Sequence, residues 1–426
     1  MRGLPDSPWA RRALLSALVL VLLVVSAIIV WRVLRPTEVV TEAVSTYPQA
    51  DAASPGPVGA LISAPLIVDG RIRVYADKRQ IRADDEPAYK YEKSPFWSYR
   101  RWPEQLIGAV HPQTAADGVP MIVGSWSDGE LIALDGRTGA VLWHADGEVL
   151  GEEYDGRRTG SSVVWTPAGL LTGVGDRPVV VTAGDGRLSV FSAADGARLW
   201  SAQTPICVEQ AFTASGALFA PDTCIGPHAL IRFDLTTGER TEAPFRGFND
   251  RLTVTPLGCR IGRSECGGVR MQQQPNRTAA WLLTPEGIVE SRVLASPTAS
   301  LAGTIVIDSP LDDVTRTRAI VGRDARTGES LWTYSQNAAM RLIATTPERV
   351  LLLSESLVLT ALDPASGRVI SSNSIALKQD RDPYAIGPVY ATGPYVAIER
   401  LKPQADPTGA DDEYYYNARP VLLAVS

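Results

Sequence analysis

The 426-residue sequence has few of the residue types that build metal and thiol chemistry. It contains three histidines and four cysteines, with no adjacent cysteine pair and no Cys-x-x-Cys segment. A zinc site made from paired cysteines is therefore not expected. No Gly-x-Ser-x-Gly segment occurs either, so the chain offers no nucleophile elbow of the α/β-hydrolase type.

The chain also lacks an excess of positive charge. Its 41 Lys and Arg residues against 47 Asp and Glu residues give a net charge of −6. A nucleic-acid partner is not expected, because neutralising phosphates requires a basic face. Hydrophobic residues make up 45% and charged residues 21% of the chain, as in folded proteins. Arginine outnumbers lysine 36 to 5, which we attribute to the codon bias of a G+C-rich bacterial genome.

One hydrophobic run is long enough to cross a membrane. Ala13–Trp31 holds 19 residues without a formal charge. A cleaved signal peptide is the alternative, but its apolar region usually spans about 7–15 residues. Trp31 and Arg32 end the run as an interfacial anchor does, and no cysteine follows for a lipid anchor. The sequence predicts an uncleaved transmembrane signal anchor over residues 13–34.

The flanking charges and the cysteines predict the orientation of this anchor. The basic residues are Arg2, Arg11 and Arg12 before the run and Arg32 and Arg35 after it. Three basic residues before the run against two after it favour a cytoplasmic N-terminus at residues 1–12. All four cysteines follow the anchor, and an even number suits an oxidising compartment. We expect a single-pass plasma-membrane protein whose large C-terminal part is extracytoplasmic.

No long amphipathic helix is evident after residue 61. Short apolar runs of about 4–7 residues alternate there with Gly, Asp and Pro, which is typical of an all-β fold. Residues 35–60 are rich in Pro, Ala, Ser, Thr and Glu and show no sustained apolar periodicity. They are predicted to be an extended linker before a β-domain at 61–426.

A recurring phrase identifies the architecture. "LIALDGRTGAVLWHADG" at Leu131–Gly147 has close counterparts at Leu188–Thr204, Ala319–Ser335 and Val358–Ser374, and a weaker one at Ala229–Phe245. The turn glycines are Gly139, Gly196, Gly238, Gly328 and Gly367, spaced by 57, 42, 90 and 39 residues. The interval of 90 residues is expected to contain a degenerate unit near Pro285–Gly287. Such a period predicts a propeller, in which each unit is a four-stranded blade that packs on its neighbours.

Positions within the phrase have separate structural roles. Gly129–Asp135 is expected to form a strand, Thr138-Gly139 a turn, and Ala140–Trp143 an outer strand. Trp143 can then lie flat against the next blade. Ser161–Trp165 is expected to be an inner strand. The structural residues of the repeat are Asp135, Gly139, Trp143, Gly196, Trp200, Gly328, Trp332 and Gly367.

The segment "DGELIALDGRTGAVLW" at Asp128–Trp143 resembles the PQQ-like β-propeller repeat. Quinoprotein alcohol dehydrogenases and the propeller lipoprotein of the bacterial outer-membrane assembly machine contain this repeat. The resemblance covers residues 61–426 and implies a fold more than a function. It extends to the blades and stops at the dehydrogenase active site, because no Cys-Cys pair is present and no calcium ligands can be matched. We therefore predict no catalytic residues, no cofactor and no metal.

The blade count is predicted to be seven, with eight as the alternative. Six blade cores are expected near 106–144, 162–201, 206–242, 251–292, 298–334 and 340–372. The seventh would combine 384–425 with an N-terminal strand at Pro95–Trp102. Pairing strands from both ends of the chain closes the ring and protects an open sheet edge. Leu61–Ala76 is left over and could supply strands of an eighth blade.

Two further sets of residues are candidates for a structural or binding role. Cys207 with Cys224, and Cys259 with Cys266, are expected to form two sequence-local disulfides, although four cysteines allow three pairings. Tyr414, Tyr415 and Tyr416 lie in the acidic segment "DDEYYYN" and could form a contact surface, because tyrosine is enriched at interfaces. Solvated loops are the alternative interpretation of such acidic segments.

Two functions from different classes fit the sequence. The first is a non-enzymatic, membrane-anchored binding or scaffold module whose partners are proteins of the bacterial cell envelope. The second is a propeller enzyme or small-ligand receptor that uses the central funnel. Oxidation with a PQQ cofactor is disfavoured for the reasons given above.

Overall fold

The structure is a computed structural model. It describes residues 8–34, 37–50, 53–113, 118–203, 210–221, 229–244, 252–273, 277–309 and 317–426. Cys207 and Cys224 lie outside these residues.

The N-terminal hydrophobic run forms helix α1 (Pro8–Leu34). Its segment Arg12–Arg32 is 21 residues long and is not buried against the rest of the chain. The length and composition suit both a membrane anchor and a signal sequence.

The described residues beyond α1 are mainly β-strands. The first sixteen are β1 (Thr37–Thr41), β2 (Gly56–Leu61), β3 (Leu66–Val68), β4 (Ile72–Asp77), β5 (Gln80–Asp85), β6 (Trp97–Trp102), β7 (Leu106–Val110), β8 (Met121–Trp126), β9 (Glu130–Asp135), β10 (Val141–Asp146), β11 (Leu170–Val174), β12 (Pro178–Gly184), β13 (Arg187–Ser192), β14 (Arg198–Gln203), β15 (Phe212–Ala214) and β16 (Ala217–Pro221). The others are β17 (Ala229–Asp234), β18 (Arg240–Pro244), β19 (Leu252–Leu257), β20 (Gly268–Gln273), β21 (Arg277–Thr284), β22 (Gly287–Glu290), β23 (Ser300–Ala302), β24 (Ile305–Asp308), β25 (Thr317–Asp324), β26 (Ser330–Thr346), β27 (Arg349–Ser354), β28 (Val358–Leu362), β29 (Val369–Ser374), β30 (Ala385–Thr392), β31 (Tyr395–Leu401) and β32 (Val421–Val425). Short helices α2 (Ser161–Trp165) and α3 (Asp411–Tyr414) lie in connections.

Within the described residues these strands form the eight blades of a β-propeller. Blade 1 contains β3–β6 with β1 added outside, and blades 2 to 5 contain β7–β10, β11–β14, β15–β18 and β19–β22. Blades 6 and 7 share the 17-residue strand β26, whose start pairs with β25 and whose end pairs with β27. Blade 8 contains β30–β32 and β2. The all-β propeller is thus confirmed. It has eight blades, which was the alternative to the predicted seven.

The additional blade comes from residues that carry no copy of the repeat phrase. Strands β3 and β4 lie largely in the left-over segment Leu61–Ala76. The connection from β5 to β6 runs through residues 86–96 instead of the short Asp-x-x-x-Gly turn found in other blades. Blade 1 therefore lacks the glycine spacing that identifies blades in the sequence.

The ring is closed by a strand other than the expected one. Strand β2 pairs antiparallel with β32, with Gly56 opposite Val425 and Leu61 opposite Val421. Pro95–Trp102, expected to close the ring, instead supplies β6 of blade 1. Strands β1 and β2 both begin within residues 35–60, so part of the segment predicted to be a linker belongs to the sheets.

The direction of the strands gives the ring two distinct faces. Each blade runs from the centre outward, and its adjacent strands are antiparallel. Hairpins between first and second strands, and between third and fourth strands, therefore lie on one face, here called the hairpin face. Connections between blades, and loops between second and third strands, lie on the opposite connection face.

Four indole rings join neighbouring blades within the part of the chain that the structure describes. Each tryptophan lies near or on the outer strand of one blade, and its Nε1 donates to a backbone carbonyl in the turn between the third and fourth strands of the next blade. The bonds are Trp97 to Gly136 (2.8 Å), Trp143 to Ala193 (2.9 Å), Trp200 to Leu235 (3.1 Å) and Trp332 to Pro364 (2.8 Å). The ring lies against the turn glycine of that next blade, which is Gly139, Gly196, Gly238 or Gly367 respectively.

Blade 5 makes the same kind of contact without a tryptophan. Ser291 Oγ donates to the carbonyl oxygen of Ala325 (2.6 Å), which occupies the acceptor position in the turn of blade 6. Val293 supplies the apolar contact beside Gly328. The hairpin between β21 and β22 lies where the degenerate unit near Pro285–Gly287 was expected. The hydrogen bond and the apolar contact, which one indole supplies elsewhere, are divided here between two side chains.

Candidate functional site

The centre of the ring contains a loop closed by a disulfide bond. Residues 258–267 connect β19 to β20, and Cys259 is bonded to Cys266 within that loop. The Cys259–Cys266 pairing expected from the sequence is confirmed. The loop reaches beyond its own blade, because Cys266 N donates to the carbonyl oxygen of Thr213 (2.7 Å) and Thr213 N donates to that of Arg263 (3.0 Å). Thr213 belongs to β15 of blade 4.

Side chains of the same loop extend to blades 2 and 3. Arg260 forms an ion pair with Glu265 (2.9 Å) and donates to the backbone oxygen of His111 (2.8 Å). Thr172, on β11, donates its backbone N–H to Ser264 Oγ (2.9 Å) and its hydroxyl to Glu265 (3.1 Å). The loop is therefore bonded to the innermost strands or adjoining loops of three other blades.

Helix α2 closes the centre from the connection face. The expectation of an inner strand at Ser161–Trp165 is wrong, because these residues form a helix whose Val163, Val164 and Trp165 are buried. The helix follows Gly160, whose φ of 65° is left-handed, and the first strand of blade 3 is instead β11. A short run of consecutive apolar residues does not distinguish a five-residue strand from one buried helical turn.

The disulfide loop and α2 meet inside the ring. A Cβ atom on Gly262 would lie only 3.0 Å from the carbonyl oxygen of Trp165. Ile261 and Trp165 belong to the same buried cluster. The Trp165 ring also stacks on Tyr390, with ring centres 5.3 Å apart and an interplanar angle of 14°. The funnel is thus filled from both faces at its centre.

A cavity of about 420 Å³ remains beside this plug. It is lined by the end of α2, the disulfide loop, and the inner hairpins of blades 7 and 8. Arg260 and Glu348 bring charge to a wall that is otherwise mostly small and apolar, apart from the stacked Trp165 and Tyr390. Trp165 Nε1 is buried and has no hydrogen-bond partner within the described residues. The volume of the cavity is in the range of small-molecule sites.

A second cluster of polar groups lies at the seam between blades 1 and 2. Buried Arg101 contacts Asp128 Oδ1 (2.7 Å) and a carboxylate oxygen of Glu130, with Glu38 at 3.9 Å. His144 places Nδ1 2.7 Å from Glu130 and Nε2 3.9 Å from Glu38. His144 is exposed on one side of this cluster.

Three of these groups have a spacing compatible with metal binding. Glu38, Glu130 and His144 can each bring one ligand atom within 4.8 Å of the others. However, the two imidazole nitrogens face different carboxylates, and the Arg101 guanidinium already supplies positive charge between them. We therefore interpret the cluster as a set of ion pairs that hold β1 on the propeller, and not as a metal centre.

The tyrosines of the acidic segment are used mainly inside the protein. Tyr415 is only 2% exposed, and its hydroxyl lies 3.0 Å from Thr159 Oγ1. Arg157 lies over the Tyr414 ring at 4.5 Å, and Arg400 lies over the Tyr416 ring at 5.3 Å. The segment is thus fastened to the connection before α2. Tyr414 and Tyr416 are partly exposed, and the acidic residues Asp412 and Glu413 are exposed, so a contact surface at this segment stays a prediction.

This contact buries a carboxyl group that the sequence analysis did not identify. Glu399 lies on β31, is 2% exposed, and accepts a hydrogen bond from Thr159 Oγ1 (2.7 Å). Burial raises the pKa of the Glu399 carboxyl above its usual value, because desolvation disfavours the charged form. In the chain, Glu399 stands between Ile398 and Arg400, which are also buried. The local sequence therefore gives no sign that this carboxyl group is buried.

Comparison with known sequences identifies the family. The family described as "Outer membrane protein assembly factor BamB" matches residues 53–240 and 286–396, which is more than half of the chain. The chain belongs to this family. The PQQ-like repeat inferred from the tryptophan phrase is thereby confirmed.

Individual relatives are more distant. Quinohemoprotein alcohol dehydrogenase from Comamonas testosteroni is 29% identical over 177 residues, or 39% of this chain and 24% of that enzyme. The chain thus matches about a quarter of that relative's length. Among solved structures, BamB from Moraxella catarrhalis is 16% identical with a TM-score of 0.41, covering 90% of this chain and 99% of that one. The computationally designed Ika8 protein is 12% identical with a TM-score of 0.46, covering 87% and 100%.

Proposed function

We propose that this chain is a membrane-anchored, extracytoplasmic propeller that acts as a non-enzymatic scaffold for proteins of the bacterial cell envelope. The filled centre carries the proposal. Helix α2 and the disulfide loop occupy the place where a propeller enzyme would bind its substrate, so most of the accessible surface lies on the faces and the rim. Membership of the assembly-factor family supports an envelope role for the chain.

The rim and the connection face supply contact surfaces of different chemistry. On the rim, Leu331, Val369 and Ile370 lie on outer strands of blades 6 and 7 and are 46%, 50% and 47% exposed. On the connection face, Asp412 and Glu413 are exposed beside the tyrosine segment. The apolar rim suits a protein partner that buries it, and the acidic loop suits a partner with basic groups.

Site-specific photocrosslinking in native membranes tests the scaffold. A photoreactive amino acid at Val369 or at Asp412 should capture a defined envelope protein, whereas one at Lys90, on the hairpin side of blade 1, serves as the control. The captured protein should in turn crosslink to this chain when it carries the probe. Failure of every rim and face position to give a reciprocal crosslink would contradict the scaffold proposal.

The proposed topology has its own test. Helix α1 should keep the full chain in the membrane fraction after alkaline extraction, because its apolar residues are not buried elsewhere. Alkaline phosphatase fused at the C-terminus should be active, since this enzyme requires an oxidising compartment. Release of the chain by alkali, or a fusion active only as a cytosolic reporter, would contradict the anchor or its orientation.

A small-ligand receptor is the second candidate function. The observation that favours it is the cavity of about 420 Å³, which Trp165 and Tyr390 line together with Arg260 and Glu348. Metabolite screening by thermal shift separates the two candidates, because a ligand that binds only the folded protein raises its melting temperature. A shift that Tyr390→Ala abolishes would support the receptor, and no shift across the screen would support the scaffold.

A further inference from the structure

The membrane helix joins the propeller through a very short connection. Helix α1 ends at Leu34 and strand β1 begins at Thr37. Consecutive Cα atoms are about 3.8 Å apart, so three steps place the start of β1 within about 11 Å of the helix end. The propeller edge that contains β1 therefore cannot lie far from the membrane that α1 would span.

The pairing of β1 identifies which part of the propeller is nearest. Thr37 pairs with Trp102, the last residue of β6, and Thr41 pairs with Ser98. The end of blade 1 that contains Trp102 thus adjoins the helix. That end belongs to the connection face, because β6 leads from there to the first strand of blade 2.

This end of blade 1 carries an exposed aromatic ring among cations. Trp102 is 43% exposed, and the Arg79 guanidinium lies over its ring at 4.2 Å. Arg100 lies two residues before Trp102 and shares its exposed side of the sheet, and Lys78 is exposed in the turn before β5. These four residues are called the headgroup patch.

The cations of the headgroup patch are free of carboxylate partners in the described part of the chain. Arg79 Nε donates to the Pro103 carbonyl (3.0 Å), and Arg100 donates to the Gln80 side-chain amide oxygen (3.1 Å). The nearby acid Asp77 is engaged by Arg82 at 3.0 Å. The positive charge of the patch is therefore available to an external anion.

We propose that the headgroup patch binds the headgroups of anionic phospholipids and holds blade 1 against the membrane surface. Tryptophan favours the headgroup level of a bilayer, and lysine and arginine are attracted to anionic lipid. Trp31 and Arg32 place the same residue types near the end of α1, as expected for a helix that ends at the membrane interface. The inference depends on the proposed anchor, because α1 brings the patch to the bilayer.

Lysine labelling in lipid nanodiscs tests the proposal on the full chain. The chain is reconstituted in phosphatidylcholine alone or with phosphatidylglycerol, and a water-soluble acylating reagent is followed by mass spectrometry. Lys78 should react about fivefold more slowly in the anionic discs, the factor expected for one cation at an anionic surface. Lys90, exposed at the opposite end of blade 1, is the internal control and should react equally in both lipids.

A second measurement examines the aromatic ring. Brominated lipids quench the emission of tryptophans that contact the bilayer, so Trp102→Phe should reduce the quenched fraction. Trp143→Phe, which removes an indole ring that is 8% exposed and faces blade 3, should not lower that fraction. Far-ultraviolet circular dichroism establishes that both variants are folded.

The outcomes separate this inference from the anchor itself. Release of the chain by alkaline extraction would contradict the anchor and with it the inference. Retention of the chain with equal labelling of Lys78 in both lipids would overturn the headgroup patch alone, as would unchanged quenching in Trp102→Phe.

Discussion

The indole nitrogen of Trp143 donates a hydrogen bond of 2.9 Å to the carbonyl oxygen of Ala193, and so joins blade 2 to blade 3. The same ring lies against Gly196, where a Cβ atom would come within 2.6 Å of Trp143 Cε3. One side chain thus supplies both a polar and an apolar contact across the seam. Because the tryptophan contacts link each blade only to its neighbour, loss of one should loosen one seam of the ring.

Removing the Trp143 ring should destabilise the propeller strongly. Trp143→Ala takes away the ring and leaves the Ala193 carbonyl without its partner, so we expect a loss of about 3–5 kcal/mol in the free energy of unfolding. Trp143→Phe keeps an aromatic ring and loses the hydrogen bond, which should lower stability by about 1 kcal/mol from that bond. Urea unfolding of the full chain in detergent measures both changes. Equal effects of the two variants would show that the ring packing contributes little.

Adding one carbon atom on the other side of this contact should also destabilise. Gly196 has a φ of 70° and Gly393 a φ of 52°, so alanine strains the backbone at both positions, by about 1–2 kcal/mol. Only Gly196 also faces an indole ring, whereas a Cβ atom on Gly393 would have nothing within 4 Å. Gly196→Ala should therefore lose about 1–3 kcal/mol more than Gly393→Ala. Equal losses, measured by the same unfolding experiment, would contradict the close packing at the seam.

The disulfide should stabilise the central plug. Replacing Cys259 and Cys266 together by serine should lower the free energy of unfolding by about 2–3 kcal/mol, as expected for a short closed loop. Hydrogen exchange at the amides of residues 260–266 should quicken, because these amides lie in the loop that the bond constrains. Thiol titration of the unfolded, unreduced wild-type chain should find neither cysteine reactive. Unchanged exchange in the double variant would show that the contacts to blades 2, 3 and 4 suffice without the bond.

The buried Glu399 carboxyl predicts a pH dependence of stability. Burial raises its folded-state pKa above the unfolded value near 4.5, so between the two pKa values the folded protein holds more protons than the unfolded chain. Its contribution to stability therefore decreases above pH 4.5 until the folded-state pKa is passed. Each unit of separation between the two pKa values corresponds to about 1.4 kcal/mol.

Glu399→Gln tests this dependence, because the amide removes the titrating group and keeps an oxygen that can accept from Thr159 Oγ1. The stability of the variant relative to wild type should increase between pH 4.5 and 7. Asn417→Gln, an exposed change that removes no titrating group, is the control and should show no such trend. A flat difference between Glu399→Gln and wild type across this range would contradict a raised pKa.

Much of the fold could be predicted because it depends on short-range physics. Gly139 and its counterparts require a left-handed turn, and Trp143, Trp200 and Trp332 follow such turns at a constant distance, so five blades are recognisable from local spacing. Trp97 fastens blade 1 in the same way, but no short turn precedes it, and its role was missed. A search for any tryptophan about 35–53 residues before a turn glycine would have included it.

The candidate site was far less predictable. Tyr415 and Thr159 are 256 residues apart in the chain and in hydrogen-bond contact in the fold, and no local pattern in either segment indicates the other. The helical form of Ser161–Trp165 likewise depends on burial in the middle of the ring.

The amino-acid sequence alone determined the apolar N-terminal helix, the all-β repeat and the one described disulfide pair, because hydrophobic runs, turn glycines and close cysteines act over a few neighbouring residues. Only the tertiary structure decided the eighth blade, the closure of the ring by β2 on β32, and the filling of its centre by α2 and the disulfide loop. Those features depend on contacts between segments that are far apart in the chain. Such contacts form only when the whole ring packs.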